Sequence, residues 1–111
     1  MFGPWKTVTI AKDGTTSAEV DLGDDYSKVT VLLPAIDSAT LTIHVSNKSG
    51  GTFFPIHLPK VGTAGSAAHI TTAATTSIAV TFAIGAAQFI KVVLGAAQAT
   101  AARTIYVRGC N

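Results

Sequence analysis

Three histidines and one cysteine are the side chains of this sequence best suited to binding a metal ion. The histidines, His44, His57 and His69, stand far apart on different segments. Histidine metal sites use closer pairs, such as His-x-His or His-x3-His, or a cluster with cysteine. Cys110 is the single cysteine, so it has no partner for an intramolecular disulfide. We therefore expect no metal site and no cofactor, and we expect each histidine to lie on an outer strand face or in a loop.

The acidic residues are few, and they cluster at one place. Asp21, Asp24 and Asp25 surround a glycine in what the sequence predicts to be a turn. Three carboxylates could supply half of the oxygen ligands of a calcium ion, but aspartate is also a common turn residue that bonds nearby amides. We favour the turn. The single Glu and five Asp form no obvious opposed pair for glycoside hydrolysis. No Gly-x-Ser-x-Gly or phosphate-binding glycine loop is present, so we expect no enzyme activity.

Exposed aromatic side chains could form an interface or a sugar-stacking platform. Phe2 and Trp5 lie near the start of the sequence, and Phe53 and Phe54 follow a glycine-rich turn. Because neighbouring residues of a strand face opposite sides, we expect one of the two phenylalanines to fill the core. We select Phe2, Trp5 and Phe54 as interface candidates. For a carbohydrate-binding alternative, the platform would be Trp5, Tyr26 or Phe54.

Composition limits the class of protein. Of 111 residues, 48% are hydrophobic, 13% are charged and the net charge is +2. This mixture excludes intrinsic disorder and coiled coils. The eight basic residues are dispersed, which argues against a nucleic-acid partner. We also expect no membrane partner, because no apolar run approaches the ~18 residues of a membrane span, and no secretory signal is recognisable. We therefore expect synthesis in a cytoplasm.

Period-two alternation of apolar and polar residues predicts the secondary structure. The predicted strands are residues 5–11, 18–22, 26–33, 39–46, 52–58, 77–84, 88–94 and 103–108. We expect turns at 12–14, 23–25 and 47–51, and loops at 59–68 and 95–102. Pro34 should end a strand, and Pro55 suits an edge strand or a bulge.

Short, evenly spaced strands without helices between them predict an all-β fold. We expect an antiparallel β-sandwich, jelly-roll-like, with about eight strands. Residues 1–111 would form a single domain, with residues 1–4 as a candidate N-terminal arm that reaches a neighbouring subunit.

The outer strand faces carry little charge. A solitary β-sandwich normally protects its edges and faces with charged residues and proline. Here Thr, Ser and Ala take those positions, and pairs of alanines recur at 67–68, 73–74, 86–87, 96–97 and 101–102. Such a surface favours a protein that is covered by copies of itself or by another subunit.

The arrangement of these segments resembles small virion proteins of tailed bacteriophages. The stretch TVTIAKDGTTSAEVDLGDDYSKVTVLLPAI, then ATLTIHVSNKSGGTFFPI, and finally FIKVVLG with ARTIYVRGC carry the resemblance over nearly the whole chain. These residues shape the fold, and no catalytic motif is among them.

The resemblance implies a jelly-roll β-sandwich that builds or decorates a virion. Our leading hypothesis is a capsid decoration (cement) protein on the capsid surface. It would bind as a homo-oligomer, with a trimer favoured, to a major capsid protein. A tail or fibre adaptor of the virion and a carbohydrate-binding jelly-roll module stay open as alternatives.

Overall fold

The structure, a computed structural model, describes residues 2–59, 66–68, 71–73 and 77–111; for 57–59, 66–68 and 71–73 it describes the backbone. This part of the chain contains nine strands and no helix. The strands are β1 (Lys6–Ile10), β2 (Val20–Leu33), β3 (Ala39–Ser46), β4 (Phe54–Pro55), β5 (His57–Pro59), β6 (Ser66–Ala68), β7 (Thr71–Ala73), β8 (Ile78–Leu94) and β9 (Arg103–Cys110). No helix long and apolar enough to cross a membrane occurs in these ranges.

The main sheet is antiparallel, in the order β1-β9-β2-β8-β3-β4. β7 also pairs with β3, and β5 pairs with β6 separately. The all-β antiparallel class is thus confirmed. The expected number of about eight strands is too high for the main path, where six described strands follow one another.

The lower number arises because two pairs of predicted strands are continuous. β2 runs through the predicted turn at 23–25, where Gly23 has φ 89° and the register with β8 shifts on both sides of Tyr26. β8 likewise runs through Gly85 and Ala86, both with φ 67°. Positive φ is typical of tight turns and also of β-bulges. Here β2 and β8 pair with each other before and after the irregularity, so these segments are bulges within strands and not hairpin turns.

The other turn and edge predictions fare better. Asp13 has φ 66° and the Gly14 amide donates to the Ala11 carbonyl at 2.9 Å, which confirms the turn at 12–14. β2 ends just before Pro34, and Pro55 lies in β4 at the end of the strand order. Residues 95–102 form a loop as expected. The loop predicted over 59–68 is wrong at Pro59, the last residue of β5, and at Ser66–Ala68, which form β6; its residues 60–65 lie outside the described part of the chain.

The inward-facing residues of the long strands form the hydrophobic core. The most deeply buried apolar side chains, with no exposed surface, are Ile10, Val29, Val31, Leu41, Ile43, Phe82, Ile90, Val92, Ile105 and Val107. Burial of each side chain of this size stabilises the fold by about 1.5–3 kcal/mol. Because successive strand residues face opposite sides, the residues between these positions form the outer surface.

A buried amide ties the loops at one end of the sheet together. The Gln98 side chain has no exposed surface. Its Oε1 accepts hydrogen bonds from the Asp37 amide at 2.8 Å and from Nε of Arg103 at 3.3 Å, and its Nε2 donates to the Asp37 carbonyl at 3.1 Å. The Asp37 carboxylate in turn accepts from the amide and hydroxyl of Thr100 and from Arg103. The loop before β3 and the loop before β9 are therefore held as one unit.

Candidate functional site

The outer surface of β1, β9, the second half of β2 and the first half of β8 forms a continuous exposed area. The strand register sets its rows: Thr7, Tyr106, Leu32 and Ala79 lie side by side, and Arg108, Thr30 and Thr81 form the next row. We call this area the outer face. It consists of Phe2, Trp5, Thr7, Thr9, Lys28, Thr30, Leu32, Ala79, Thr81, Ala83, Thr104, Tyr106, Arg108 and Cys110.

The outer face carries little charge for so large an area. Lys28 and Arg108 are its charged residues, and it contains no carboxylate side chain. Some of its hydroxyls satisfy one another, since Oγ1 of Thr30 lies 3.1 Å from Oγ1 of Thr81 and 3.9 Å from Sγ of Cys110. Hydroxyls that are already paired lose less when water is removed. The face can therefore be covered by another protein at a small desolvation cost.

Large apolar side chains interrupt this threonine and alanine surface. Tyr106 is 47% exposed and its cross-strand neighbour Leu32 is 38% exposed. Both line a shallow groove of about 360 Å³, together with Pro34 and Ile78. Exposed tyrosine and leucine beside a groove are what a docking partner buries.

Phe2 and Trp5 meet on one guanidinium. Cζ of Arg108 lies 4.4 Å from the centroid of the Phe2 ring and 4.6 Å from that of Trp5. Nε of Arg108 donates to the Gly3 carbonyl at 2.9 Å, and the Gly3 amide donates to the Gly109 carbonyl at 2.8 Å. Phe2 and Trp5 remain 65% and 41% exposed. Phe2 and Gly3, predicted as part of an arm, thus lie against β9 of their own chain.

The absence of a side chain at Gly109 makes this arrangement possible. The Tyr26 ring lies directly over Gly109, and a Cβ at that position would overlap the ring. Tyr26 also contacts Gly3 and is buried in the core. The hypothesis that Tyr26 offers a stacking platform for a sugar is therefore wrong, because its ring is covered by its own chain.

Phe54 lies apart from the other two interface candidates. It belongs to β4, at the opposite end of the strand order from β1, and is 60% exposed. It lines a groove of about 450 Å³ together with Asp25, Asn47 and Phe89. Phe53 is half-buried, with Nζ of Lys91 4.6 Å from its ring centroid. The expectation that one of Phe53 and Phe54 fills the core is wrong, since neither is a core residue.

The acidic residues hold turns and strands in place. Asp21 accepts from Nε2 of Gln88 at 2.9 Å and from the Gly23 amide at 2.8 Å, and these bonds lower the pKa of its carboxyl. Asp24 accepts from the Asp25 amide. Within the described ranges, no group of three or more His, Cys, Asp or Glu residues could hold a metal ion. Asp21 and Asp24 therefore accept hydrogen bonds from backbone amides of the bulge in β2, and the expected turn at this place is wrong.

Glu19 ties the start of β2 to the turn after β3 by hydrogen bonds, whereas His44 is set apart by its partial burial. Glu19 accepts from the hydroxyl of Ser49 at 2.6 Å and from the Gly50 amide at 2.8 Å, which lowers the pKa of its carboxyl. Burial of the His44 ring, followed by the nearby charge of Lys91, lowers the pKa of that imidazole.

The other two histidines add no described site. For His57 the structure describes the backbone alone, and His69 lies outside the described residues.

Comparisons with known proteins concern the fold. No family of known proteins matches the sequence, and no curated protein does. The chain superposes on the SPBc2 prophage-derived protein YomS with a TM-score of 0.56 over 98% of this chain and 94% of that one, at 12% sequence identity. The two proteins share a fold.

Two further solved structures show a weaker likeness. One is CsCBM6-3 from Clostridium stercorarium in complex with cellobiose, with a TM-score of 0.39, 14% identity, and coverage of 95% of this chain and 74% of that one. The other is the capsid asymmetric unit of cyanophage Pam1, with a TM-score of 0.33, 16% identity, and coverage of 98% and 86%. Because both TM-scores are below 0.5, neither structure supports an argument about this chain.

Sequence patterns missed three residues of the outer face. Leu32, Tyr106 and Arg108 stand at strand positions that alternate with buried residues. The period-two alternation alone could therefore have predicted that their side chains face outward. Their proximity to Phe2 and Trp5 depends on the pairing of β9 with both β1 and β2.

Proposed function

We propose that this chain is a non-enzymatic structural protein of a tailed-bacteriophage virion, specifically a capsid decoration protein that covers the outside of the assembled shell. The outer face carries the proposal: it is broad, almost uncharged, free of carboxylates, and set with four exposed apolar side chains. Such a face is costly to leave in water and favourable to cover.

The fold supports this proposal. The solved structure with a TM-score of 0.56 is a prophage-derived protein, and the segments that shape the strands resemble small phage virion proteins. We propose in addition that the main sheet is arranged as a jelly-roll-like sandwich, with the bulged strands β2 and β8 shared between its two layers. The outer face would then be the exposed side of one layer.

Decoration stabilises a shell by mass action. A subunit that finds its full contact surface only where capsid proteins are correctly arranged binds the assembled shell and not the free subunits. Its binding free energy then favours assembly. Many copies acting together would oppose the internal pressure of packaged DNA. A homo-oligomer, with a trimer favoured, would add avidity to each contact.

Co-sedimentation with empty shells tests the proposal. The purified chain should pellet saturably with shells of the phage that encodes it, and should not pellet with isolated tails. Leu32→Glu places a charge in the centre of the outer face and should weaken shell binding at least about tenfold, since an unpaired buried charge costs several kcal/mol. Ala97→Glu, in the exposed loop before β9, is the matched control and should bind like the wild type.

Two results would refute the capsid role. If the wild-type chain pellets with tails and not with shells, it is a tail or fibre adaptor. If it pellets with neither, the virion role on either structure fails.

The carbohydrate alternative now has less support. Tyr26 is buried, and the Trp5 ring already stacks on Arg108, which leaves Phe54 beside its groove. A thermal-shift screen with oligosaccharides tests this alternative, and a melting temperature that rises with one sugar and not after Phe54→Ser would support it over decoration.

A further inference from the structure

Arg108 is built to receive an acidic group. We propose that the outer face docks a partner protein segment that places an aspartate or glutamate carboxylate against the guanidinium of Arg108. The proposal deepens the decoration role, on which it rests for the partner, the outer surface of a capsid protein.

The guanidinium of Arg108 is held in one orientation. The rings of Phe2 and Trp5 stack on it, and its Nε is engaged by the Gly3 carbonyl at 2.9 Å. No acceptor among the described residues contacts its terminal nitrogens. A planar guanidinium offers two parallel N–H groups to one carboxylate, and an arginine already fixed in place loses less entropy when that pair forms.

The second described arginine of the same strand shows the contrast. Nη2 of Arg103 lies 3.4 Å from Oδ1 of Asp37, so this arginine has an acidic partner within its own fold. Among the described residues Arg108 has no acidic partner, and the outer face as defined above contains no carboxylate side chain. The charge of Arg108 therefore remains available to an external acidic group.

Charge complementarity decides what kind of partner fits. Lys28 lies on the outer face next to the position that pairs with Arg108, because Lys28 pairs with Cys110 and Thr30 pairs with Arg108. The same face of a second copy would bring two more cations against these two. A segment that bears carboxylates is attracted instead, and its apolar neighbours can cover Tyr106 and Leu32.

An acidic peptide tests the anchor directly. The probe is acetyl-Thr-Glu-Thr-Glu-Thr-amide, titrated into the ¹⁵N-labelled full chain, with its Gln counterpart as the matched control. The Nε–H resonance of Arg108 should shift saturably with the Glu peptide and not with the Gln peptide. Arg108→Gln should weaken binding by about tenfold or more, as expected for a charge-assisted hydrogen-bonded pair.

Two further variants separate geometry from charge. Arg108→Lys keeps the positive charge and loses the fork of parallel donors, so it should also weaken binding several-fold. Lys12→Gln removes one charge from an exposed turn away from the outer face and should leave binding unchanged. The melting temperature of each variant shows whether it is folded.

Three outcomes would overturn the proposal: equal or absent shifts with the Glu and Gln peptides, wild-type affinity in Arg108→Lys, or inorganic phosphate binding at Arg108 as tightly as the Glu peptide. Shell co-sedimentation keeps the two proposals separate. If Arg108→Gln pellets with shells like the wild type, decoration stands and the anchor fails. If the Glu peptide binds but wild-type chain does not pellet with shells, the anchor stands and decoration fails.

Discussion

Gly109 is important to this molecule because glycine has no side chain. The Tyr26 ring occupies the space that a Cβ at Gly109 would need, and the same ring contacts Gly3. The position of Tyr26 thereby supports the backbone on which Arg108 and Phe2 meet. Sequence reasoning did not find this cluster, because residues 2, 5, 26, 108 and 109 come together through strand pairing and each is unremarkable in its own segment.

Gly109→Ala should therefore destabilise the fold. Overpacking against a buried ring costs about 1–3 kcal/mol. Urea unfolding followed by circular dichroism measures the change, and Cys110→Ala at the neighbouring half-buried position should alter the free energy of unfolding by less than about 0.5 kcal/mol. An equally small change in Gly109→Ala would contradict the close packing of Tyr26 on this strand.

The carboxylates of Glu19, Asp21 and Asp37 make the fold sensitive to acid. Hydrogen bonds lower the pKa of each; for Asp37 the bonds come first from Thr100, with the charge of Arg103 contributing less. A group whose pKa is lowered by folding stabilises the fold above its unfolded value, here 4.5 for Glu and 3.8 for Asp, and this stability is lost as the pH falls through the folded pKa.

We expect the melting temperature to fall as the pH drops below the unfolded pKa values of these carboxylates, 4.5 for Glu and 3.8 for Asp, and on through their lowered folded values. Asp37→Asn should lower the melting temperature at pH 7 and reduce its further loss on acidification, because part of the titrating stability is already gone. Asp24→Asn, which removes one carboxylate from the exposed bulge of β2, is the matched control for the change of charge. Parallel profiles for the wild type and Asp37→Asn would contradict the role of Asp37.

His44 should produce a separate step at higher pH. Burial lowers the pKa of the imidazole below 6.5, so the unfolded chain takes up a proton before the folded chain does as the pH falls. The melting temperature should therefore decline as the pH falls from about 6.5 through the folded pKa, and His44→Gln should remove this decline while leaving the loss that the carboxylates cause at lower pH. A decline that persists unchanged in His44→Gln would assign it to another group.

At the scale of elements, period-two alternation predicts which residues are in strands better than it predicts which segments merge into one continuous strand. The bounds of β3 agree with the predicted 39–46, and β1 and β9 agree within two residues. In each, an uninterrupted apolar phase faces the core. The merging of segments into β2 and β8 was missed because a bulge and a hairpin turn both use positive-φ positions that favour glycine, here Gly23 and Gly85. Which one forms depends on whether the partner strand continues, and that information lies far away in the sequence.

The bulge in β8 should respond in opposite directions to two neighbouring substitutions. Gly85 and Ala86 both have φ 67°, and no atom lies within 4 Å of a Cβ placed on Gly85. Gly85→Ala should therefore cost about 1–2 kcal/mol through backbone strain alone, whereas Ala86→Gly should stabilise by about 0.5–1 kcal/mol. Urea unfolding measures both, and the same sign for the two variants would contradict the left-handed conformation of this pair.

At the scale of the whole molecule, the outer face and the groove beside Phe54 are two separate surfaces on which large apolar side chains are exposed. The outer face lies around β9, and the groove beside Phe54 lies at the other end of the strand order. Under the proposed decoration role, the outer face would bind the shell and the groove beside Phe54 would be left for contacts between copies. The composition predicted such contacts without locating them, because low charge is a property of the chain and not of any one segment.

We expect the purified chain to sediment as a homo-oligomer at micromolar concentration and Phe54→Ser to shift it towards the monomer. Truncation of an aromatic residue at an interface hot spot costs about 2 kcal/mol or more of association free energy. Sedimentation velocity measures the state, and Ala97→Glu serves again as the control. A monomer in the wild type would contradict the oligomer, and an unchanged oligomer in Phe54→Ser would place the contact elsewhere.

The pairing of Phe2 with Cys110 also decides how the chain carries a mechanical load. β1 and β9 are antiparallel neighbours, so both described ends of the chain leave the sheet at the same place. A pull between these ends would break the hydrogen bonds of the pair one after another, as a zipper opens. A force along the strand axis that moved β1 and β9 in opposite directions would instead have to break all of these hydrogen bonds at once. A subunit tethered by both ends would give way at low force, whereas one gripped across its broad surface would share the strain among all its strands.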